Sequence, residues 1–354
     1  MDVLIAGGGT GGHLFPGIAL AQELKRRDPQ ARILFVGTAR GIEARAVPKA
    51  GFELALLPVS GLKRTGVVGL LMGLARLPVA LAKALGVVRR FKPQVAVSVG
   101  GYAAGPAVLA ARLLGVPCVV MEQNAIPGLT NKILAGVAAR VIASLPTTTL
   151  SGDKVKILGN PVRADLVPVR ESVYTPSSPR RLFVFGGSQG ARAINEAMMK
   201  LAPRLQELNL KVRHQTGEAD QQRVRDAYLA AGVTDAQVTA FIDDMATAYR
   251  DADIVVCRAG ATSIAELTVV GRPAILVPFP GATDDHQTAN AKALEATGAA
   301  IHLAQSESLA SDLANLLSEL DGNRLVTMAK AAHDVGRPYA ASAIADALEE
   351  VRRV

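Results

Sequence analysis

Three glycine-rich turns carry the side chains most capable of chemistry. The first reads Gly7-Gly8-Gly9-Thr10-Gly11-Gly12-His13 and follows a short apolar run, Asp2–Ala6. Its glycines leave the backbone uncovered where a helix begins, so a phosphate or a sugar can approach closely. A plain strand-to-helix turn is the alternative. His13 stands at the mouth of this turn. An imidazole is well matched to taking a proton near neutral pH, although spacing alone equally allows a capping or structural role. The second turn, Gly186–Arg192, also follows an apolar run. Ser188 offers a hydroxyl there and Arg192 a fixed charge toward phosphate. The third is Cys257-Arg258-Ala259-Gly260-Ala261-Thr262-Ser263-Ile264-Ala265-Glu266. A helix beginning near Thr262 would aim its dipole and its first N–H groups at an anion. Glu266, about one turn in, could accept two hydrogen bonds from a ribose diol. The competing reading is a helix-start charge favoured by the dipole.

Other chemistries fit less well. Gly7, Gly9 and Gly12 formally satisfy the dinucleotide fingerprint. A nicotinamide enzyme should also place an acid at the end of the second strand, and that strand ends Phe35-Val36-Gly37-Thr38. A Walker A loop would need Lys and then Ser or Thr where His13 stands. Asp251-Ala252-Asp253 has the D-x-D form of a metal motif, but it directly precedes an apolar run, where such a pair usually ends a helix. Asp243-Asp244 and Asp284-Asp285 have no cluster of further ligands around them. The five His and two Cys show no zinc spacing. No metal and no cofactor are expected.

The elements that must position these turns repeat as strand, turn, helix. In the first half the strands are Asp2–Ala6, Ala31–Val36, Val95–Val99, Val116–Met121 and Val141–Ala143, with a helix near Pro16–Arg27. Gly159–Pro179 is proline-rich and aperiodic, so it reads as a connector. The pattern then restarts with Arg181–Phe185, Lys211–Gln215, Val238–Phe241, Ile254–Cys257 and Ala274–Val277. Short apolar runs between helices imply buried parallel sheets. The fold class is therefore α/β: two doubly wound, Rossmann-like domains facing across a cleft, 1–162 and 163–338. Tyr339–Arg353 reads as a helix that could pack back on the first domain. Cys118 and Cys257 lie in apolar runs and read as buried thiols, which suits a reducing compartment.

With these loops in hand, the chain resembles the MurG family of peptidoglycan UDP-N-acetylglucosamine transferases. The matching segments run from Gly7 to beyond Thr297: GGGTGGHLFPGIALA, VGTARGIEA, SGLKRTG, SVGGYAAGPA, EQNAIPGLTNK, GNPVR, GGSQGARAIN, FIDDMA, CRAGATSIAEL and DDHQTANA. The resemblance implies the GT-B architecture and transfer of N-acetylglucosamine to undecaprenyl-pyrophosphoryl-N-acetylmuramoyl-pentapeptide. It further implies that the new β-1,4 linkage forms with inversion and without a built-in metal. It also implies a place in cell wall synthesis, and so in cell shape and division. By the same resemblance, Thr10, Gly11, Gly12, Asn124 and Arg163 reach the UDP sugar. Ser188, Ile242, Ala261, Thr262, Ser263, Ile264, Ala265, Glu266 and Gln287 complete its pocket, with Glu266 on the ribose hydroxyls. His13 would activate or position the acceptor hydroxyl, and Gly101, Tyr102 and Glu122 would line the acceptor side. Some relatives carry Ser where this chain has Ala259, a change of hydroxyls more than of backbone N–H groups.

Charge adds a membrane expectation. The net charge is +8, and Leu62–Lys92 holds seven Lys or Arg and no acid. On a helical projection Arg76, Lys83 and Arg90 share one face, opposite Leu70, Leu74, Leu77, Leu81 and Leu85. Pro78 argues against one straight helix. The segment could be an ordinary domain helix; the alternative is docking on anionic lipid without spanning it. No signal peptide and no spanning helix are expected. Expected partners are thus UDP-N-acetylglucosamine, the undecaprenyl-linked acceptor and an anionic membrane surface on the cytoplasmic side, and no nucleic acid. Three rivals stand beside this reading: a different GT-B transferase with another glycolipid or antibiotic acceptor, a nicotinamide-dependent oxidoreductase, and a sugar-phosphate binding or regulatory module without turnover.

Overall fold

Short apolar runs buried on both faces become parallel strands, and the amphipathic stretches between them become the covering helices. A computed structural model describes residues 1–59, 66–146, 150–187 and 190–352, with side chains described for all of these but 66–76. Contacts divide the chain into two units: Met1–Val162 with the C-terminal stretch from Tyr339, and Arg163–Pro338.

The first unit runs β1 (Val3–Gly7), α1 (Gly11–Arg27), β2 (Ile33–Gly37), α2 (Glu43–Lys49), β3 (Glu53–Leu56), α3 (Gly66–Phe91), β4 (Val95–Gly100), α4 (Ala104–Leu113), β5 (Cys118–Glu122), α5 (Leu129–Val137), β6 (Arg140–Ala143) and β7 (Val155–Ile157). Its strands lie in the order β3-β2-β1-β4-β5-β6-β7, all pairs parallel. The order reverses between β1 and β4, and the crevice at such a reversal is where doubly wound sheets bind ligands.

The second unit runs α6 (Val167–Arg170), β8 (Arg180–Phe185), α7 (Arg192–Leu201), β9 (Leu210–Gln215), α8 (Gln221–Ala230), β10 (Gln237–Thr239), α9 (Met245–Asp251), β11 (Ile254–Cys257), α10 (Ala261–Val270), β12 (Ala274–Leu276), α11 (His286–Glu295), β13 (Ala300–His302), α12 (Leu309–Glu319) and α13 (Gly322–Val335). The order is β10-β9-β8-β11-β12-β13, again parallel, with its reversal between β8 and β11.

The last helix, α14 (Ala340–Arg352), belongs to the first unit. Ile344, Leu348 and Val351 join a core with Leu14 and Leu24 of α1. Arg27 pins it with bonds to Asp346 at 2.6 Å and Ser342 at 2.6 Å. On the other sheet face, Ala84 and Val88 of α3 pack with Ala107 and Ala111 of α4 and Leu134 of α5.

Among the differences from the sequence reading, three concern the connector and α3. The connector Gly159–Pro179 is not featureless; it contains α6, where Val169 is buried. Helix α3 runs through Pro78 without ending. That proline is exposed, so the helix can bend away on the solvent side to relieve the ring. The leucine face of α3 is also divided: Leu81 and Leu85 pack on the core, whereas Leu77 is exposed. Lys63 and Arg64, and the side chains of Leu70, Leu74 and Arg76, lie outside the described residues.

Candidate functional site

The first glycine turn leaves the carboxyl end of β1 and is held from below by a buried acid. Glu43, at the start of α2, is 1% exposed. Its Oε2 accepts from Gly9 N at 2.8 Å, and its Oε1 accepts from Thr38 N at 2.9 Å and Thr38 Oγ1 at 2.8 Å. Burial alone would raise its pKa, but the bonds from Gly9 and Thr38 outweigh this and hold it below the usual value. A Cβ at Gly8 would overlap this carboxylate, which is why the turn needs glycine there. The acid missing from the end of β2 is thus present six residues on, already committed to the protein's own backbone. It was missed because nothing in spacing links position 43 to position 9.

Thr10 and Gly12 are exposed, and Gly11 and His13 half-buried, at the start of α1. His13 Nδ1 lies 3.4 Å from Thr10 Oγ1, and the His13 ring lies against Gly100 at the end of β4. Gly101 abuts Gly8, closing the base of the β1/β4 crevice. Tyr102 is 45% exposed beside it. Glu122, expected on the acceptor side, is buried. Its Oε1 accepts from Asn124 N at 2.9 Å, and its Oε2 from Gly128 N at 3.1 Å and Asn131 Nδ2 at 2.9 Å. Asn131 in turn accepts from Ser98 Oγ at 2.8 Å. Glu122 therefore shapes the loop that carries half-buried Asn124. These turns sit together at the carboxyl ends of β1, β4 and β5.

In the second unit, the turn after β8 packs on the end of β9. A Cβ at Gly190, where φ is +75°, would overlap the carbonyl of Thr216. Ser188 lies outside the described residues. A buried network supports Thr216: Asn195 Nδ2 donates to its carbonyl at 2.9 Å and to Asp220 Oδ2 at 2.9 Å. His214 bridges Asn195 Oδ1 at 3.0 Å and the Tyr228 hydroxyl at 2.9 Å.

Burial pushes the His214 pKa down to about 3. The folded state therefore takes up this proton far less readily than the unfolded chain. The stability it confers is complete above the unfolded value of about 6.5 and is lost progressively as pH falls from there toward 3. By pH 5 the loss is on the order of 2 kcal/mol. Ring resonances followed by NMR should show His214 neutral at pH 5; a midpoint near 6.5 would contradict the buried network.

Helix α10 starts at Ala261 directly after β11. Its N-cap residue is Gly260, no side chain caps it, and its first turn holds no acid. Thr262, Ser263 and Ala265 are half-buried there, while Ala261 and Ile264 are buried. Glu266 is 6% exposed. Its Oε1 accepts from Arg163 at 3.1 Å and its Oε2 from the Tyr249 hydroxyl at 3.0 Å. The structure thus brings Arg163 and Glu266 together and adds Tyr249, which the sequence reading missed. Burial raises the Glu266 pKa, and the charge and hydrogen bond of Arg163 oppose it. Ile242 is half-buried in the loop before α9. Gln287 Oε1 accepts from Phe279 N at 2.9 Å and so holds the loop after β12.

Of the acids set aside as metal motifs, Asp253, Asp251 and Asp244 have partners within the protein. Asp253 is buried, accepts from Arg181 N at 2.7 Å and pairs with the Arg181 side chain at 3.6 Å. Asp251 pairs with Arg213 at 3.3 Å. Asp244 caps α9 through Thr247 N at 2.9 Å. Cys118 and Cys257 are buried free thiols, and burial raises both.

Residues 3–143 match the N-terminal domain of glycosyltransferase family 28, and residues 181–351 match its C-terminal domain. A Myxococcus xanthus protein is 47% identical over 352 residues, covering 98% of this chain and 92% of its own. A Nitratidesulfovibrio vulgaris protein is 47% identical over 357 residues, covering 99% and 97%. Both are named UDP-N-acetylglucosamine–N-acetylmuramyl-(pentapeptide) pyrophosphoryl-undecaprenol N-acetylglucosamine transferase. The crystal structure of Acinetobacter baumannii MurG matches with a TM-score of 0.80 and 31% identity, covering 99% of each chain. Two Rossmann-like sheets with their glycine turns at the reversals, matched end to end by these relatives, make this chain a member of glycosyltransferase family 28.

Proposed function

We propose that this protein transfers N-acetylglucosamine from UDP-N-acetylglucosamine to undecaprenyl-pyrophosphoryl-N-acetylmuramoyl-pentapeptide, the step that completes the lipid-linked disaccharide of peptidoglycan. The observation that carries the reading is Glu266, set one turn into α10 beside Arg163. The helix start suits the diphosphate and the carboxylate suits the ribose. The same relatives' names specify this donor and this acceptor. Against the nicotinamide alternative, Glu43, the acid that follows β2, has its oxygens engaged by Gly9 and Thr38.

In the proposed reaction a bond forms between the acceptor's 4-hydroxyl oxygen and the sugar's anomeric carbon. The bond from that carbon to the diphosphate breaks, and UDP carries the electron pair away. His13 takes the hydroxyl proton as the new bond forms, or positions that hydroxyl for attack. The His13 tautomer with hydrogen on Nδ1, toward Thr10, has its lone pair on Nε2. Acceptor-dependent release of UDP tests the reading; release that ignores the acceptor would reject it.

The acceptor's polyprenyl chain lies in a bilayer, so the enzyme must meet that surface. Among the described residues no helix is long and apolar enough to cross a membrane. The first unit exposes an apolar stripe along α5, Leu129, Ile133 and Val137, with Leu109 and Leu113 on neighbouring α4. Arg112 and Lys132 flank it, and Lys83, Arg89 and Arg90 are exposed on α3. We read this face as a peripheral docking surface, on the cytoplasmic side where UDP sugars are found. Each basic residue near an anionic surface contributes about 1 kcal/mol. Changing Lys83, Arg90 and Lys132 to Glu should weaken binding to phosphatidylglycerol vesicles by about tenfold or more and leave UDP affinity unchanged. Vesicle binding at wild-type strength would remove this face from the account.

A further inference from the structure

We infer that Tyr249 is a positioning residue that holds the Glu266 carboxylate ready for the donor's ribose; this rests on the ribose reading above. Tyr249 lies on α9, is fully buried, and donates its hydroxyl to Glu266 Oε2 at 3.0 Å. Its ring is packed edge-on against Phe183 at 5.6 Å and Phe185 at 6.0 Å, both on β8. The hydroxyl cannot swing aside without breaking that packing. The other donor to Glu266, Arg163, has a side chain 43% exposed. One partner is locked by the core and the other is open to solvent.

An ionised carboxylate offers about four lone-pair sites. Tyr249 and Arg163 take one on each oxygen, which leaves one on each for the two hydroxyls of a cis-diol. A protonated carboxyl loses one of these sites and presents a donor instead. Burial and the charge of Asp165 favour the protonated form, and Arg163 and Tyr249 favour the ionised one. Cys257, at the end of β11, also faces this carboxylate and stays a neutral thiol. Of the two described donors, Tyr249 supplies its bond from a buried side chain and Arg163 from a solvent-exposed one. Removing that hydroxyl should free Glu266 to rotate and let it take a proton at higher pH.

The test is Tyr249→Phe in the full chain, which keeps the ring and removes the hydroxyl. The KM for UDP-N-acetylglucosamine should rise by about five- to tenfold, with kcat within about twofold. The preference for UDP over 2′-deoxy-UDP should shrink by a similar factor, and the acidic limit of donor binding should move to higher pH. Site-specific 3-fluorotyrosine at position 249, a stronger hydrogen-bond donor, should move that limit to lower pH. This arm serves if the phenylalanine variant does not fold. Glu266→Gln separates the two readings. If it leaves donor KM unchanged, the ribose assignment itself fails. If it raises KM while both position-249 variants keep the wild-type KM, nucleotide preference and acidic limit, only the role of Tyr249 is overturned.

Discussion

His13→Ala should lower kcat by about 10²–10⁴-fold, the usual contribution of a positioned general base, while UDP affinity stays within about threefold. The residue stands in the first turn of α1, at the reversal between β1 and β4, and its ring rests against Gly100. That is the place where doubly wound sheets present ligands to catalytic groups. The turn before it is braced by Glu43, so truncating the imidazole should not collapse the loop. His13→Gln should be nearly as slow as His13→Ala, because an amide cannot take the proton. Steady-state kinetics and calorimetry with UDP separate the effects. A kcat within about threefold of wild type would reduce His13 to a structural role.

Glu266→Ala should raise the KM for UDP-N-acetylglucosamine by tenfold or more. Each charged hydrogen bond to a ribose hydroxyl contributes roughly 1.5–3 kcal/mol before desolvation is subtracted, and two such bonds are at stake. The substitution also strands the buried hydroxyl of Tyr249, at a stability cost of about 1–3 kcal/mol. A melting curve must therefore accompany the kinetics. Affinity for 2′-deoxy-UDP should fall less than affinity for UDP. An unchanged KM in a folded variant would detach Glu266 from the donor.

The sequence announced the parts of the fold that are written locally. The glycine turns, the apolar strands before them and the helix starting near Thr262 are all signals within about ten residues. Central strands such as Val95–Gly100 and Ile254–Cys257 are fully buried and, apart from Ser98, apolar. Three of the four edge strands were not legible, for the converse reason. Glu53–Leu56 and Val155–Ile157 are partly exposed and mixed in character, and Ala300–His302 is only three residues long.

The site divides in the same way. Glu266 could be singled out by its position on a helix, but its partners could not. Tyr249 is 17 residues away and Arg163 is 103 away. Glu43 meets Gly9 across 34 residues and two elements. Glu122 showed the opposite difficulty. Its motif suggested a ligand contact, and only the structure shows its oxygens engaged by Asn124, Gly128 and Asn131. The docking of α14 likewise depends on Arg27 meeting Asp346 across 319 residues.

The most direct test of the central claim is transfer of radiolabelled sugar from UDP-N-acetylglucosamine to a short-chain form of the undecaprenyl-linked acceptor. The account predicts one labelled, β-1,4-linked disaccharide lipid for each UDP released, and no labelled lipid when the acceptor lacks its 4-hydroxyl. Folded protein that binds UDP but forms no labelled lipid with this acceptor, or that releases UDP by hydrolysis alone, would contradict it.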